Sequence, residues 1–427
     1  MDHAVRGRSP TKVLHVRSGD GMYGAEMVVL TLAKVQRKQG VDARVLCLER
    51  PGRTVLSDRF RDEGIPVERV VAGGRLDLGA AVQIRRILER LQPDVVHAHD
   101  YKSDLILAVL RPRLAPRLAL VATNHLWTQE TPLLRLYEQL DALGMRRFDR
   151  VVGVSAAIRE EMIRAGVAPQ NVAVVVNGLD HGPPLEHEST TLRRELGLSD
   201  ATAIVGFVGR LSVQKGLPLL LQATERLRGR DLHVVIVGEG PQRGAIEAEL
   251  TRRELTGRVT LLGRREDASA LMRAFDVMVL PSIREGTPLV LLEAMAQGTA
   301  VVASRVGGVA DVVQADRTGL LFESGDVDGL VTSLDRLVNS APERARLGTA
   351  AMAHVRDRFS AEAMAAQYSA LYDELVLARR QVPSTAPVGQ PAQGGDFTGS
   401  VAPALGAAWR LISLSRFAAA LPRTGRW

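Results

Sequence analysis

Leu280-Pro-Ser-Ile-Arg-Glu-Gly-Thr-Pro-Leu-Val-Leu-Leu-Glu-Ala-Met-Ala-Gln-Gly298 closes an apolar run, crosses a short polar loop and opens into a helical pattern. The pattern predicts a buried strand, a loop, and a helix capped by Thr287 with Pro288 at its first position. Gly298 is the expected stop. Glu293 interrupts Leu289-Val-Leu-Leu-Glu-Ala-Met-Ala296, an otherwise apolar helix, where an ionised carboxylate is costly unless something pairs with it. Glu285 lies in the loop, eight residues earlier. At about 1.5 Å of rise per residue the two carboxylates stand at most roughly 12 Å apart. That span suits the two ends of one extended polar ligand. A glycosidase acid pair needs roughly 5–10 Å, so hydrolysis is the weaker reading. The structural alternative is a capping Glu285 and a Glu293 balanced by a neighbouring Arg.

Outward from this stretch, short β-rich runs alternate with helical periods, the pattern of parallel sheets flanked by helices. Strands are expected at 12–18, 43–49, 67–71, 95–100, 118–125, 151–155 and 172–177, with helices at 25–38, 78–91 and 156–166. Residues 179–200 break the rhythm with Gly and Pro and read as an interdomain linker. A second alternation places strands at 203–210, 233–238, 258–263, 277–281, 300–304 and 319–323. Helices at about 327–338 and 361–379 follow. The expected architecture is therefore α/β, with two doubly wound Rossmann-like domains facing a cleft at their strand carboxyl ends. The divisions are residues 1–180, residues 181–380 with a last helix returning to the first domain, and a Pro/Ala/Gly/Gln-rich linker with an apolar, arginine-bearing tail at 381–427.

Bulk composition narrows the function. The chain has 427 residues, 46% hydrophobic and 24% charged, ordinary globular values for two or three domains. A net charge of +7 and a pI of about 9.9 favour acidic ligands or an anionic surface. Aromatic residues make up only 4%, which disfavours a nucleic-acid stacking platform. Cys47 is the single cysteine, which excludes internal disulfides and thiolate metal clusters. No long apolar run follows the basic residues of the amino terminus, so no secretory signal is expected, and no apolar run reaches the roughly 18 residues that span a bilayer. A cytoplasmic protein is expected, with the tail as a candidate peripheral membrane contact.

Two glycine loops carry the remaining chemistry. Gly19-Asp-Gly-Met-Tyr-Gly24 follows the first strand and has G-x-G-x-x-G spacing, with Glu49 ending the second strand where a ribose-binding acid would stand. Such a loop brings backbone N–H groups to an anion without identifying it; its structural alternative is a tight turn, with Glu49 a solvated strand-end charge. Gly209-Arg-Leu-Ser-Val-Gln-Lys-Gly216 opens the second half. Arg210 and Lys215 there are placed to neutralise a diphosphate. Asp326-Val-Asp328 has the D-x-D spelling of metal-dependent transferases but stands at a helix start, and reads as a cap.

Taken together, these segments resemble the retaining family 4 glycosyltransferases, which have the GT-B fold. The resemblance rests on Val208-Gly-Arg-Leu-Ser-Val-Gln-Lys-Gly216, Val237-Gly-Glu-Gly-Pro241, Val279-Leu-Pro-Ser282, Glu285-Gly-Thr-Pro288, Glu293-Ala-Met-Ala296, Gly307-Gly308 and Thr318-Gly-Leu-Leu321. Tyr23-Gly-Ala-Glu26, Pro93-Asp-Val-Val-His-Ala-His99, Val154-Ser155 and Asn177-Gly178 carry it in the first half. It covers about residues 12–375. It implies that Arg210 and Lys215 hold a nucleotide-sugar diphosphate and that Glu293 accepts from the ribose. It further implies that Glu285 binds donor-sugar hydroxyls beside the reacting centre, helped by the segment Gly286, Thr287, Pro288, Leu289 and Val290, whose residues other than the proline carry backbone N–H donors. Gly24 approaches the phosphate and His125 lies near the sugar. The catalytic set is then Glu285, His125, Arg210 and Lys215, with no metal and no cofactor. The expected reaction is sugar transfer with retention to a hydroxyl acceptor, glycan or lipid-linked, in polysaccharide, envelope or glycolipid synthesis at the inner membrane face. Asp311 stands where relatives usually have Glu. Two rivals remain at this stage: an NAD(P)-dependent enzyme using Gly19–Gly24 with Glu49, and a catalytically inactive scaffold.

Overall fold

The structure, a computed structural model, describes residues 11–73, 77–127, 132–180 and 189–381. Seven strands in the first half are β1 Lys12–Ser18, β2 Asp42–Glu49, β3 Val67–Val71, β4 Val95–Ala98, β5 Ala119–Asn124, β6 Arg150–Gly153 and β7 Val172–Val174. They pair in parallel in the order β3-β2-β1-β4-β5-β6-β7. The second half supplies β8 Ala203–Val208, β9 Leu232–Val237, β10 Val259–Gly263, β11 Val277–Leu280, β12 Ala300–Ser304 and β13 Leu320–Phe322, in the order β10-β9-β8-β11-β12-β13. Strands covered on both faces carry no polar alternation. Leu-His-Val-Val-Ile-Val in β9 and Val-Met-Val-Leu in β11 are accordingly buried throughout.

The strand order reverses beside β1 in one sheet and beside β8 in the other, and such reversals open a crevice at the strand carboxyl ends. On the first side the crevice lies between the Ser18–Gly24 loop after β1 and His99–Asp100 after β4. On the second it lies between Gly209–Gly216 after β8 and Pro281–Pro288 after β11. The topology therefore puts the four chemically loaded segments at the two switch points.

The chain crosses between the halves twice. Outbound, Leu179 N donates to Phe359 O at 2.8 Å, and on return Ala361 N donates to Leu179 O at 2.9 Å. Gly178 is required there, because a Cβ would overlap the Ser360 carbonyl. Ser360 caps the last helix, Ala361–Arg380, by accepting from Ala363 N at 3.1 Å. This helix buries Met364, Tyr368, Tyr372 and Val376 against Val13, Val28, Leu32 and Val121 of the first half. Both sheets fall within one compact unit. Apart from Gln381, the expected linker and tail at 381–427 lie outside the described residues.

Two local expectations fail. The helix Ala341–Arg358 has no counterpart in the sequence reading, because its buried residues are only Leu347, Gly348, Ala351 and Val355, of which two carry a large apolar side chain. Thr287 does not cap the helix after β11. That helix runs Leu289–Ala296 with Pro288 at the cap position and no side-chain cap bond. The Thr287 hydroxyl instead donates to the Val154 carbonyl in the first half. Gly298 does end the segment, at φ +79°, its N–H on Met295 O at 3.0 Å.

Candidate active site

Glu285 is 7% exposed. Its Oε1 accepts from Lys215 Nζ and from Ser282 Oγ, both at 2.6 Å. Lys215 ends a short 3-10 turn, Val213–Lys215, stopped by Gly216 at φ +62°. Only glycine fits there, because a side chain would strike the Pro281 carbonyl. The loop after β8 is thus pressed onto the loop after β11, and the pressing delivers the ammonium to the carboxylate. The structural alternative for Glu285, a capping role, is absent. It is instead a buried, ion-paired carboxylate, which needs such partners to stay charged. Arg210 is exposed, with no ion-pair partner among the described residues. Leu289 and Val290 open the helix after the loop, and its first N–H groups lack intrahelical acceptors, leaving a positive end.

Glu293 sits in the same helix, partly buried. No hydrogen bond or ion pair to it occurs among the described residues. Burial without a compensating charge pushes its carboxyl up to about 7. The neighbouring arginine of the structural alternative is not there.

The first half closes over this loop through contacts the sequence did not foretell. Arg284 Nη2 bonds Glu161 at 2.8 and 3.0 Å. Asn177 Nδ2 donates to Thr287 O at 3.3 Å. Asp311 accepts from Ala156 N at 3.1 Å, where a helix N-terminus favours a carboxylate; this gives Asp311 a role across the cleft. Gly286 lies so close to His125 that a Cβ would overlap the His125 carbonyl oxygen. His125 itself is partly buried. Its Nε2 meets His99 Nδ1 at 3.4 Å, and its Nδ1 is buried without a hydrogen-bond partner. Burial, with Arg17 nearby, lowers its pKa to about 3. Beside this junction a cavity of about 510 Å³ is lined by Trp127, Arg135, Glu138, Glu161, Arg164 and Arg284, among others.

The Gly19–Gly24 loop carries a local surprise. Gly24 is the first residue of the helix Gly24–Lys38, with open space around its Cα. The carboxylate of Glu26 folds back onto Tyr23 N at 3.1 Å and is held by Arg17 Nε at 3.0 Å. Glu49 is neither a free ribose ligand nor a solvated charge. It is 1% exposed and takes Ser57 N and Ser57 Oγ at 2.9 Å each and Arg69 Nε at 2.7 Å. The acid that the dinucleotide reading needs is thus already fully committed. Asp326 caps the helix Val327–Val338 through Gly329 N at 3.0 Å, and Asp328 pairs with Arg226. Three buried histidines, His15, His97 and His99, bring ring nitrogens within 4.8 Å of one another. All six ring nitrogens are hydrogen-bonded.

Comparison with known proteins joins the two halves. Residues 22–182 match the sequence profile described as Glycosyltransferase Family 4, and residues 188–354 that described as Glycosyl transferases group 1. A D-inositol 3-phosphate glycosyltransferase of Corynebacterium aurimucosum is 30% identical over 392 residues, spanning 83% of this chain and 91% of that protein. The chain belongs to the family 4 glycosyltransferases. This glycosyltransferase is also 27% identical over 305 residues to N-acetyl-alpha-D-glucosaminyl L-malate synthase of Bacillus anthracis, covering 70% of this chain and 80% of that one. HepE of Anabaena, solved with UDP and glucose, superposes with a TM-score of 0.76 at 23% identity, over 85% of this chain and all of HepE. Sucrose-phosphate synthase of Thermosynechococcus elongatus gives 0.74 at 21% identity, over 86% and 100% of the two chains. The fold of this glycosyltransferase is GT-B.

Proposed function

We propose that this glycosyltransferase moves a sugar, with retention, from a nucleotide diphosphate sugar to a hydroxyl on a glycan or lipid-linked acceptor. The observation that carries the reading is the Lys215–Glu285 pair at the second switch point, in a loop whose Gly286 lies against the His125 carbonyl of the first half. An anionic donor diphosphate entering there gives Lys215 a second partner, with exposed Arg210 and the helix end at Leu289–Val290 adding positive potential. The cations then stabilise charge on the leaving diphosphate as the glycosidic bond breaks. Glu285, with Lys215 and Ser282 on one oxygen, accepts hydroxyl hydrogens of the sugar and holds it. No second carboxylate stands beside it as a nucleophile among the described residues. Front-face attack therefore follows, the acceptor hydroxyl passing its proton to the leaving phosphate oxygen while the new bond forms on the vacated face. Glu293 accepts from the ribose. The reaction uses no metal and no cofactor in this reading, since the cations already meet the phosphate charge.

The cavity beside Trp127, whose lining mixes three arginines with Glu138 and Glu161, is the acceptor side in this reading and suits a polar acceptor. Among the described residues, no helix is long and apolar enough to cross a membrane. A cytoplasmic enzyme meeting lipid-linked acceptors at the inner membrane face fits the basic chain. Pelleting with anionic vesicles, with and without residues 382–427, tests that placement.

The deciding experiment is a donor screen that reads released UDP, GDP or ADP with and without EDTA, followed by NMR assignment of the product anomer. Transfer with retention, indifferent to EDTA, supports the proposal; an inverted anomer or loss of turnover in EDTA overturns that part of it. Glu285→Ala is expected to suppress transfer more than donor binding, and unchanged turnover would remove Glu285 from the reaction.

A further inference from the structure

Behind His125 lies a line of buried side chains that the proposed transfer does not use. His125 Nε2 meets His99 Nδ1 at 3.4 Å, His99 Nε2 meets His15 Nδ1 at 3.0 Å, and His15 Nε2 meets Gln36 Oε1 at 2.8 Å. His15, Gln36 and His99 are each at most 1% exposed. Burial lowers the pKa of His15 to about 4 and that of His99 well below its ordinary value, so these rings are neutral at pH 7. A neutral imidazole has one donor nitrogen and one acceptor nitrogen. Neutral rings joined in series therefore all point their hydrogens the same way.

Gln36 is placed with its carbonyl oxygen toward His15 and its amide nitrogen unpaired among the described residues; in that placement it can only accept, and this sets the direction. His15 then carries its proton on Nε2 and offers Nδ1 to His99. His99 carries its proton on Nε2 and offers Nδ1 to His125. His125 is left with hydrogen on Nε2 and a lone pair on Nδ1, the buried nitrogen without a protein partner. His97 holds the middle ring in place. Its centroid is 3.9 Å from that of His99, and both of its nitrogens are tied, to Tyr372 Oη at 2.6 Å and Thr123 Oγ1 at 2.7 Å. Reversal of one ring would set two N–H groups, or two lone pairs, against each other at a neighbour.

We propose that Gln36, His15 and His99 are positioning residues that lock His125 in the tautomer whose Nδ1 accepts a hydrogen bond from a donor-sugar hydroxyl. The inference rests on the proposed transfer only for the identity of the hydroxyl. The locked tautomer is a property of the protein alone.

The test is nitrogen NMR on protein labelled with ¹⁵N-histidine, with the His125 signals assigned by their loss in His125→Asn. The wild-type protein is expected to show a protonated Nε2 and an unprotonated Nδ1 on His125. A protonated Nδ1 would overturn the proposal, whatever the variants do. Gln36→Leu removes the terminal acceptor and should mix the His125 tautomers. It should also lower kcat/KM for the donor roughly five- to tenfold, the worth of one neutral hydrogen bond, while inhibition by the free nucleoside diphosphate stays unchanged. Gln36→Glu, which keeps an acceptor oxygen at the same place, should restore both readouts. A pure tautomer in folded Gln36→Leu would refute the chain. Should the donor screen find no transfer, the proposed function falls while the NMR result still decides the chain.

Discussion

If Glu293 accepts from the donor ribose as proposed, donor binding depends on pH. Burial without a partner raises its carboxyl from 4.5 to about 7, a shift equivalent to roughly 3 kcal/mol at 1.36 kcal/mol per unit. Between these values the folded protein holds a proton that the unfolded chain has lost. Folding then takes up a proton, and stability falls as pH rises. The contribution is complete below about 4.5, declines up to about 7 and is flat beyond it. A ribose diol donating to Glu293 favours the ionised form, because a charged acceptor makes the stronger bond. With a pKa of about 7 the carboxylate is about one-eleventh ionised at pH 6 and ten-elevenths at pH 8. Donor affinity should therefore rise about tenfold over that interval, with a proton released on binding near pH 7. The ligand must be the intact nucleotide sugar, whose diphosphate diester does not titrate in this range. Calorimetry in two buffers of different ionisation enthalpy measures both quantities. Glu293→Gln should abolish the slope and the proton release. Affinity that is flat from pH 6 to 8, or a slope that survives in Glu293→Gln, would refute the reasoning.

Three further outcomes are expected. Lys215→Ala should weaken inhibition by the donor's free nucleoside diphosphate; it also strands Glu285 without its cation, so the midpoint of chemical denaturation should fall by the equivalent of about 2–3 kcal/mol. Gly286→Ala puts a methyl group onto the His125 carbonyl and forces the halves apart, so turnover should drop and the melting temperature of the isolated protein should fall with it; an unchanged turnover and melting temperature would contradict the contact. Arg69→Ala leaves the Glu49 carboxylate buried with only Ser57; the melting temperature should fall while KM for the donor is unchanged, which separates Glu49 from the donor site.

The sheets were legible because their strands are apolar on both faces, and runs such as Val277–Leu280 cannot be much else. Helix Ala341–Arg358 was not, since alanine and glycine contribute little to a hydrophobic period and leave only Leu347 and Val355 as large buried side chains to find. At the site, Glu285 and Lys215 announced themselves as charges at strand ends. Their pairing did not, for they stand seventy residues apart and meet only because Gly216 lets two loops touch. Glu49 misled because a sequence shows a carboxylate at a strand end and hides the serine and arginine that will consume it. Thr287 misled for the opposite reason. Its local pattern was that of a cap, and a carbonyl in the other half took the hydroxyl. The histidines of Val95-Val-His-Ala-His99 were visible as a motif, but only the parallel register of β1 beside β4 brings His15 to His99.

The return of helix Ala361–Arg380 to the first half bears on how the polypeptide is made. Val13, Leu32 and Val121 are covered by Met364, Tyr368, Tyr372 and Val376, so the half that is synthesised first is the half that is finished last. At about 5–20 residues per second, some 10–40 seconds of translation separate the end of the first sheet from the helix that seals it. During that interval the second sheet, whose core is drawn from residues 192–359, has everything it needs to fold. The nascent chain should therefore carry an open apolar face on its first half for most of its synthesis. A stop codon near residue 360 would make that exposure permanent, producing a truncated chain that keeps every proposed donor-binding residue and aggregates.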